Sequence, residues 1–175
     1  MTRVVLSIGS NLGDRLAHLR SVVDGLGEAL VVASRVYETD PWGGVEQQPF
    51  LNAVLIADDP GRDCHAWLCR AHELERAAGR ARGERWGPRT LDVDLVTCSE
   101  LTASGRVDVF SADRDLTLPH PLAHLRAFVM VPWLDVDPAA HMPLQDGPRS
   151  VADLLAELEP ADRASVRLTP LTLES

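Results

Sequence analysis

Asp92 and Asp94 stand two residues apart in the stretch Thr90-Leu91-Asp92-Val93-Asp94-Leu95. On a strand, alternating side chains put Thr90 and both carboxylates on one face and Leu91, Val93 and Leu95 on the other. Residues i and i+2 lie about 6.6 Å apart at roughly 3.3 Å rise per residue. Two such carboxylates can converge on a pair of divalent ions about 3.5–4 Å apart, and their hard oxygens suit Mg²⁺. A bare Asp-x-Asp also describes the solvated face of an edge strand, so the neighbours decide. Arg76, Arg80, Arg82, Arg85 and Arg89 put five arginines within fourteen residues. Glu73, Glu75 and Glu84 can pair with some of them, and Arg76 reads as a paired one. For the rest, carboxylates beside guanidinium groups are what a polyphosphate needs. Metals bridge phosphate oxygens, and arginines take up charge as a P–O bond loosens.

Phe50 and Asn52 share one face of another predicted strand, the third in chain order. A flat heterocycle is held by such a pair, through stacking on the ring and amide hydrogen bonds to its edge. Phe128 can close the other side. His120 and His124 form an i, i+4 pair, but two histidines without a third ligand do not define a zinc site. Gly9-Ser10-Asn11-Leu12-Gly13 lacks the GxGxxG spacing and reads as a turn.

Composition removes other classes. The 17 basic residues are all arginine, so a Walker A lysine is absent and P-loop chemistry is excluded. A net charge of −9 argues against a nucleic-acid partner. No apolar run approaches the ~20 residues of a membrane span, and Val4-Val5-Leu6-Ser7-Ile8 is too short for a signal peptide. A cytoplasmic protein is expected. Cys64, Cys69 and Cys98, an odd count without CxxC spacing, predict neither a disulfide framework nor a zinc site.

The elements that must position these residues follow from periodicity and punctuation. Val4–Ile8 is a predicted strand, and Asp14 caps a helix carrying Leu16, Leu19, Val23 and Leu26. Val31–Thr39 is a second strand and Phe50–Ala57 a third. Asp63 caps a second helix with Trp67, Leu68, Ala71 and Leu74, which stops at Gly79. Leu91–Thr97 is a fourth strand. The order is the ferredoxin-like βαββαβ pattern, an α+β fold with an antiparallel sheet and helices packed on one face. A C-terminal extension adds a hairpin near Val107–Leu118, a segment after Pro121 and a helix from Ser150 to Leu158. Residues 1–175 read as a single domain, with a monomer as the default state.

Four blocks make the chain resemble 6-hydroxymethyl-7,8-dihydropterin pyrophosphokinases. They are Ser7-Ile8-Gly9-Ser10-Asn11-Leu12-Gly13-Asp14, Tyr37-Glu38-Thr39 through Phe50-Leu51-Asn52-Ala53, Gly79-Arg80 through Trp86-Gly87-Pro88-Arg89-Thr90-Leu91-Asp92-Val93-Asp94, and Leu116-Thr117-Leu118-Pro119-His120-Pro121 through Phe128. The third is the most specific. The resemblance implies transfer of diphosphate from ATP to the hydroxymethyl group of a reduced pterin, a step of folate synthesis. It implies that Asp92 and Asp94 hold two Mg²⁺ ions, with Asp92 also near the pterin hydroxymethyl group. It places Phe50 and Phe128 on either side of the pterin, with Thr39, Pro41, Trp42, Asn52 and Trp86 around it. It gives Arg80 and Arg89 the transferring phosphates. His72, Glu75, Arg82, Trp86, Leu95, Thr117, His120 and Arg126 fall around ATP. Leu122 replaces an arginine common after the Pro-His-Pro motif, and Asp115 replaces a basic residue found in some members. Residues 99–114 are longer than usual and predict a longer surface hairpin. The loops 40–49 and 80–89 are expected to close over the substrates.

Two other readings fit the carboxylate pair: a metal-dependent nucleotidyltransferase or cyclase, which releases pyrophosphate, and a nucleotide- or pterin-binding module without turnover. The aromatic pair and the Gly-Pro-Arg-Thr-Leu-Asp-Val-Asp context favour the pterin enzyme.

Overall fold

The computed structural model describes residues 1–41, 46–79 and 89–174. Expectations for Trp42, Arg80, Arg82, Arg85 and Trp86 lie outside the described residues. The chain runs β1 (Thr2–Ser10), α1 (Arg15–Leu26), β2 (Leu30–Ala33), β3 (Tyr37–Thr39), β4 (Phe50–Asp59), α2 (Cys64–Ala77) and β5 (Asp92–Thr102). It continues with β6 (Gly105–Asp108), β7 (Ser111–Ala112), β8 (Thr117–Leu118), α3 (Ala127–Val136), β9 (His141–Met142) and β10 (Arg149–Ser150). It ends with α4 (Val151–Ala156), α5 (Pro160–Ala164) and β11 (Val166–Leu168).

Both predicted N-caps are in place. Asp14 accepts the Ala17 N–H and Asp63 the Ala66 N–H, each satisfying a donor that a helix start leaves orphaned. Gly79, with φ +72°, ends α2 in the left-handed region that favours glycine. The predicted second strand is two strands, β2 and β3. Ser34 breaks it because its hydroxyl accepts the Val54 N–H while its own N–H donates to the Val54 carbonyl. A side chain thus replaces one backbone acceptor of the ladder.

The main sheet has the order β11-β3-β4-β1-β5-β6, with β2 also paired to β4. Every pairing in it is antiparallel. Alternation along β1 sorts the core. Val4, Leu6 and Ile8 face α1 and α2, packing with Leu19, Val22, Trp67, Ala71 and Leu74. The two helices approach closely at Gly25, where a Cβ would lie 2.4 Å from Leu74 Cδ2.

Helices on a single face were expected, and this is corrected. Val5, Val54, Ile56 and Val96 on the opposite face pack against Val129, Met130 and Trp133 of α3 and Val151 and Leu154 of α4. The apolar residues of the C-terminal third need a surface to cover, and the second sheet face is it.

The cysteine expectation is also corrected. Cys64 and Cys98 form a disulfide with Cα atoms 6.2 Å apart. They are 34 residues apart in sequence but meet because α2 lies across β5. Cys69 is free and exposed.

Candidate active site

α3 covers only the apolar half of the second sheet face. The other half carries the polar residues of β1, β4 and β5, and its arrangement follows from register. Gly9 pairs with Asn52 on one side and Asp92 on the other, while Ser7 pairs with Val54 and Asp94. Asn52, Gly9 and Asp92 therefore form one row across three strands. At about 4.8 Å per strand, Asn52 and Asp92 are roughly 10 Å apart. Gly9 is required in this row, since a Cβ there would lie 2.6 Å from Asn52 Oδ1. The Asn52 amide donates to the Thr39 hydroxyl at 2.6 Å, which fixes its orientation.

A cavity of about 310 Å³ opens over this row. Thr39, Asp40, Phe50 and Asn52 form one wall and Phe128 with Arg126 another. Arg89, Asp92, Asp94 and His120 form its floor on the β5 side. A second cavity of about 530 Å³ lies on the outer side of β5. His72, Glu75 and Arg76 of α2, Leu95 of β5, and Asp115, Leu116 and Thr117 line it. The two cavities share Arg89, Asp92, Asp94, His120 and Pro121.

The open edge of β5 is shaped by side chains. Buried Glu75, 7% exposed, accepts the Val93 N–H at 2.9 Å. The N–H of His120 donates to the Val96 carbonyl at 2.8 Å. These bonds dock α2 and the segment after β8 onto the strand that carries the carboxylates. His120 Nδ1 accepts the Leu122 N–H at 3.1 Å, so the neutral ring carries its proton on Nε2. That nitrogen lies 3.9 Å from Asp94 Oδ2. Burial, assisted by the Arg126 charge, pushes the His120 pKa down to about 4.

Arg89 Nη1 donates to Asp92 Oδ1 at 3.0 Å. Arg126 Nη1 lies 3.7 Å from Asp94 Oδ2, and its guanidinium carbon sits 5.4 Å from the Phe128 ring centre. Burial lowers the Arg126 pKa, and Asp94 and Asp92 oppose that shift. Arginine remains charged at neutral pH. Each carboxylate thus already has a guanidinium beside it, and the shared zone is built for concentrated negative charge.

Most expected site residues converge. Thr39, Phe50, Asn52, Arg89, Asp92, Asp94, His120, Arg126 and Phe128 line the first cavity. His72, Glu75, Leu95 and Thr117 line the second. Leu95 also packs in the core beneath the sheet, as alternation requires. Pro41 is described, but Asp40 is the wall residue there. Sequence reasoning passed over Ser7 and Gly9, although they alternate with the apolar residues of β1. It also passed over Asn11, which is buried and bonded to Arg89, Gln47 and Gln48. Read as a turn residue, Asn11 gave no sign of those distant partners.

Two cavities that share a carboxylate pair, an arginine and a histidine are the layout of an enzyme that moves a charged group between two substrates. Comparison with known proteins narrows the class. The sequence profile of the family 7,8-dihydro-6-hydroxymethylpterin-pyrophosphokinase (HPPK) matches residues 5–138. The chain is 67% identical over 169 residues to a 2-amino-4-hydroxy-6-hydroxymethyldihydropteridine pyrophosphokinase of Mycobacterium tuberculosis, covering 96% of this chain and 90% of that one. It is 62% identical over 176 residues to the protein of that name from Mycobacterium leprae, covering 99% and 92%. The chain belongs to the HPPK family. In fold it is similar to a crystal structure of HPPK-DHPS in complex with substrates, with a TM-score of 0.60 at 12% identity. A Plasmodium falciparum HPPK-DHPS with SDX-DHP superposes with a TM-score of 0.59, also at 12% identity. The match covers 89% and 90% of this chain but 43% of each of those longer chains. Among the described residues, no helix is long and apolar enough to cross a membrane.

Proposed function

We propose that this chain transfers the β,γ-diphosphate of ATP to the hydroxymethyl oxygen of 6-hydroxymethyl-7,8-dihydropterin, giving AMP and the pterin diphosphate, a step of folate synthesis. The observation that carries this reading is the junction of two cavities at Asp92, Asp94, Arg89 and His120. One cavity has the aromatic and amide walls that suit a pterin. The other, reached from α2 and β5, suits the nucleotide. The polyphosphate then lies across the shared zone, and its β-phosphorus faces the acceptor hydroxyl.

Asp92 and Asp94 fit Mg²⁺. They present hard oxygens into the junction, and among the described residues no third His, Cys, Asp or Glu joins them in a closed metal cage. Mg²⁺ is commonly held by one or two carboxylates plus substrate phosphates and water. When bound, two Mg²⁺ ions supply charge neutralisation and alignment of the phosphates.

The chain's own residues do the rest. Phe50 and Phe128 stack the pterin, and Asn52 with Thr39 reads its edge. Arg89 and Arg126 take up charge on the phosphate oxygens as the bridging bond loosens. His120, neutral at pH 7, offers its Nε2–H to a phosphate oxygen. Asp92 lines both cavities and is proposed to receive the hydroxyl proton, although among the described residues no side chain stands out as a strong general base. Most of the acceleration is positioning and electrostatics. Arg80 and Arg82, with Trp42 and Trp86, complete the proposal from outside the described residues. Loops 40–49 and 80–89 are proposed to close over the substrates.

The proposal extends to a cytoplasmic monomer, on composition, and to a ferredoxin-like core. The strand order β5-β1-β4 followed by β3, with α1 and α2 on one face, supports that core. The deciding assay supplies ATP, Mg²⁺ and hydroxymethyldihydropterin and identifies the products. AMP with a diphosphorylated pterin is expected. Release of pyrophosphate, as a nucleotidyltransferase gives, or no turnover, as a binding module gives, overturns the reading.

A further inference from the structure

The chain's last strand returns to the sheet beside the first cavity. Val166, Arg167 and Leu168 of β11 pair antiparallel with Thr39, Glu38 and Tyr37 of β3. On its other edge β3 pairs with β4, where Thr39 stands opposite Phe50. A three-residue strand such as β3 would fray if it formed the sheet edge. Here it is an inner strand, held on both sides.

The hold on β11 extends past its own ladder. The Thr169 N–H and hydroxyl both donate to the Val36 carbonyl, at 3.0 and 2.8 Å. Arg20 Nη2 donates to the carbonyls of Thr172 and Glu174 at 3.0 and 3.3 Å. Leu173, 5% exposed, enters the core beneath α1 and α2. The tail is thus pinned directly after β11 at Thr169 and again at residues 172–174.

Two arginines from opposite ends of the chain hold the end of β3, where Thr39 and Asp40 wall the cavity. Arg167 Nη2 lies 3.0 Å from Asp40 Oδ1 and 3.9 Å from Glu38 Oε1. Arg15 Nη1 lies 3.0 Å from Glu38 Oε2 and donates to the Pro49 carbonyl at 2.9 Å. Asp40 and Thr39 line the first cavity and not the second. β11 also packs against α3, the helix that carries Phe128. The elements walling the second cavity, α2 and β5 with residues 115–117, stand apart from it on the far side of β1.

We infer that β11, through Arg167 and its ladder with β3, is a positioning element of the pterin cavity: it sets where Thr39 and Asp40 stand and so governs affinity for the acceptor, not for the nucleotide. This rests on the reading that the first cavity takes the pterin. The Arg167 pairs are half exposed, and exposed ion pairs contribute little individually. The backbone pairing and the Thr169 anchor therefore carry most of the effect.

The test uses full-length variants and separate binding titrations of hydroxymethyldihydropterin, with a non-hydrolysable ATP analogue present, and of the analogue alone. Arg167→Glu sets a negative charge against Asp40 and Glu38. Adding Thr169→Pro removes the N–H that bonds Val36. The expected result is a pterin Kd raised about threefold in the single variant and about tenfold in the double one. The nucleotide Kd stays within about twofold. If the double variant does not fold, the single variant decides on the same ratio. Equal losses for both ligands, or no loss of pterin affinity, overturn the inference. Phe50→Ala separates the two levels. If it leaves pterin affinity unchanged, the cavity assignment itself fails. If it weakens pterin while the β11 variants do not, only the role of β11 fails.

Discussion

The side-chain carbonyl of Asn11 accepts the backbone N–H of Arg89 at 2.7 Å, and the Asn11 N–H donates back to the Arg89 carbonyl at 3.1 Å. The same side chain donates through Nδ2 to Gln47 Oε1 at 2.9 Å and to the Gln48 carbonyl at 3.0 Å. One residue, 1% exposed, thus ties the segment before Phe50 to the residue that grips Asp92. Asn11→Ala leaves these groups without their partners at a cost of about 1–3 kcal/mol. Urea unfolding should show that loss, and steady-state kinetics should show kcat falling. Asn11→Asp keeps the acceptor for Arg89 but not the donor for Gln47 and Gln48. Its kcat is expected to lie between those of wild type and Asn11→Ala.

Asp94→Asn preserves shape and removes a charge at the cavity junction. Turnover should fall by about two to three orders of magnitude, in the range seen when one electrostatic contact to a transition state is lost. The circular dichroism spectrum should match that of the wild type. Chelation of Mg²⁺ should abolish wild-type turnover, with recovery when the ion is restored. Normal turnover in the variant would remove Asp94 from the metal assignment.

Gly9→Ala is a one-carbon change with a specific victim. Its Cβ meets Asn52 Oδ1 at 2.6 Å, closer than a Cβ tolerates. The amide must rotate away and lose its bond to Thr39. Pterin affinity should fall about tenfold while nucleotide affinity is retained, as read by the same pair of titrations. Equal weakening of both would mean that the substitution disturbs β1 as a whole.

The Cys64–Cys98 link closes 34 residues of chain. By loop entropy it stabilises the fold by about 4 kcal/mol. Denaturant unfolding with and without a strong thiol reductant should show a difference of that order. Thiol labelling of the unfolded, unreduced protein should find one reactive cysteine, Cys69.

Asp58 gives a pH signature away from the site. Arg3 Nε and Nη2 each donate to it at 2.7 Å. These bonds hold its pKa below the ordinary value of 3.8, outweighing the opposing effect of burial. A carboxyl depressed in the folded state binds fewer protons there than in the unfolded chain. Its contribution is complete above the unfolded value and is lost as pH falls through the folded one. Stability measured from about pH 6 down to pH 2 should decline less steeply in Asp58→Asn than in wild type. Parallel curves would show that this pair adds nothing to the acid limb.

Local rules carried much of the fold. Asp14 and Asp63 declared their helices, Gly79 ended one, and alternation from Leu91 to Leu95 put the carboxylates on the right face. The carboxylate pair, Arg89 and Phe50 with Asn52 were legible because each belongs to a short-range pattern with chemical meaning. What was not legible depends on tertiary neighbours. Ser34 interrupts the second strand because of Val54, twenty residues away. Cys64 and Cys98 are paired by how α2 crosses β5. The covering of the second face belongs to α3, whose apolar residues do not say which surface they seek. Asn11 looked like a turn because its partners lie 36 to 78 residues ahead.

The bonds along the outer edge of β5 bear on more than catalysis. Glu75 occupies the N–H of Val93, His120 takes the carbonyl of Val96, the Val109 N–H takes that of Cys98, and β6 covers residues 99–102. An unprotected strand edge invites another strand to add to it. Here those positions are already taken by groups that line the second cavity or flank it and by the hairpin beyond. The same contacts that hold the carboxylates in place therefore also occupy positions at which another strand would add to this edge.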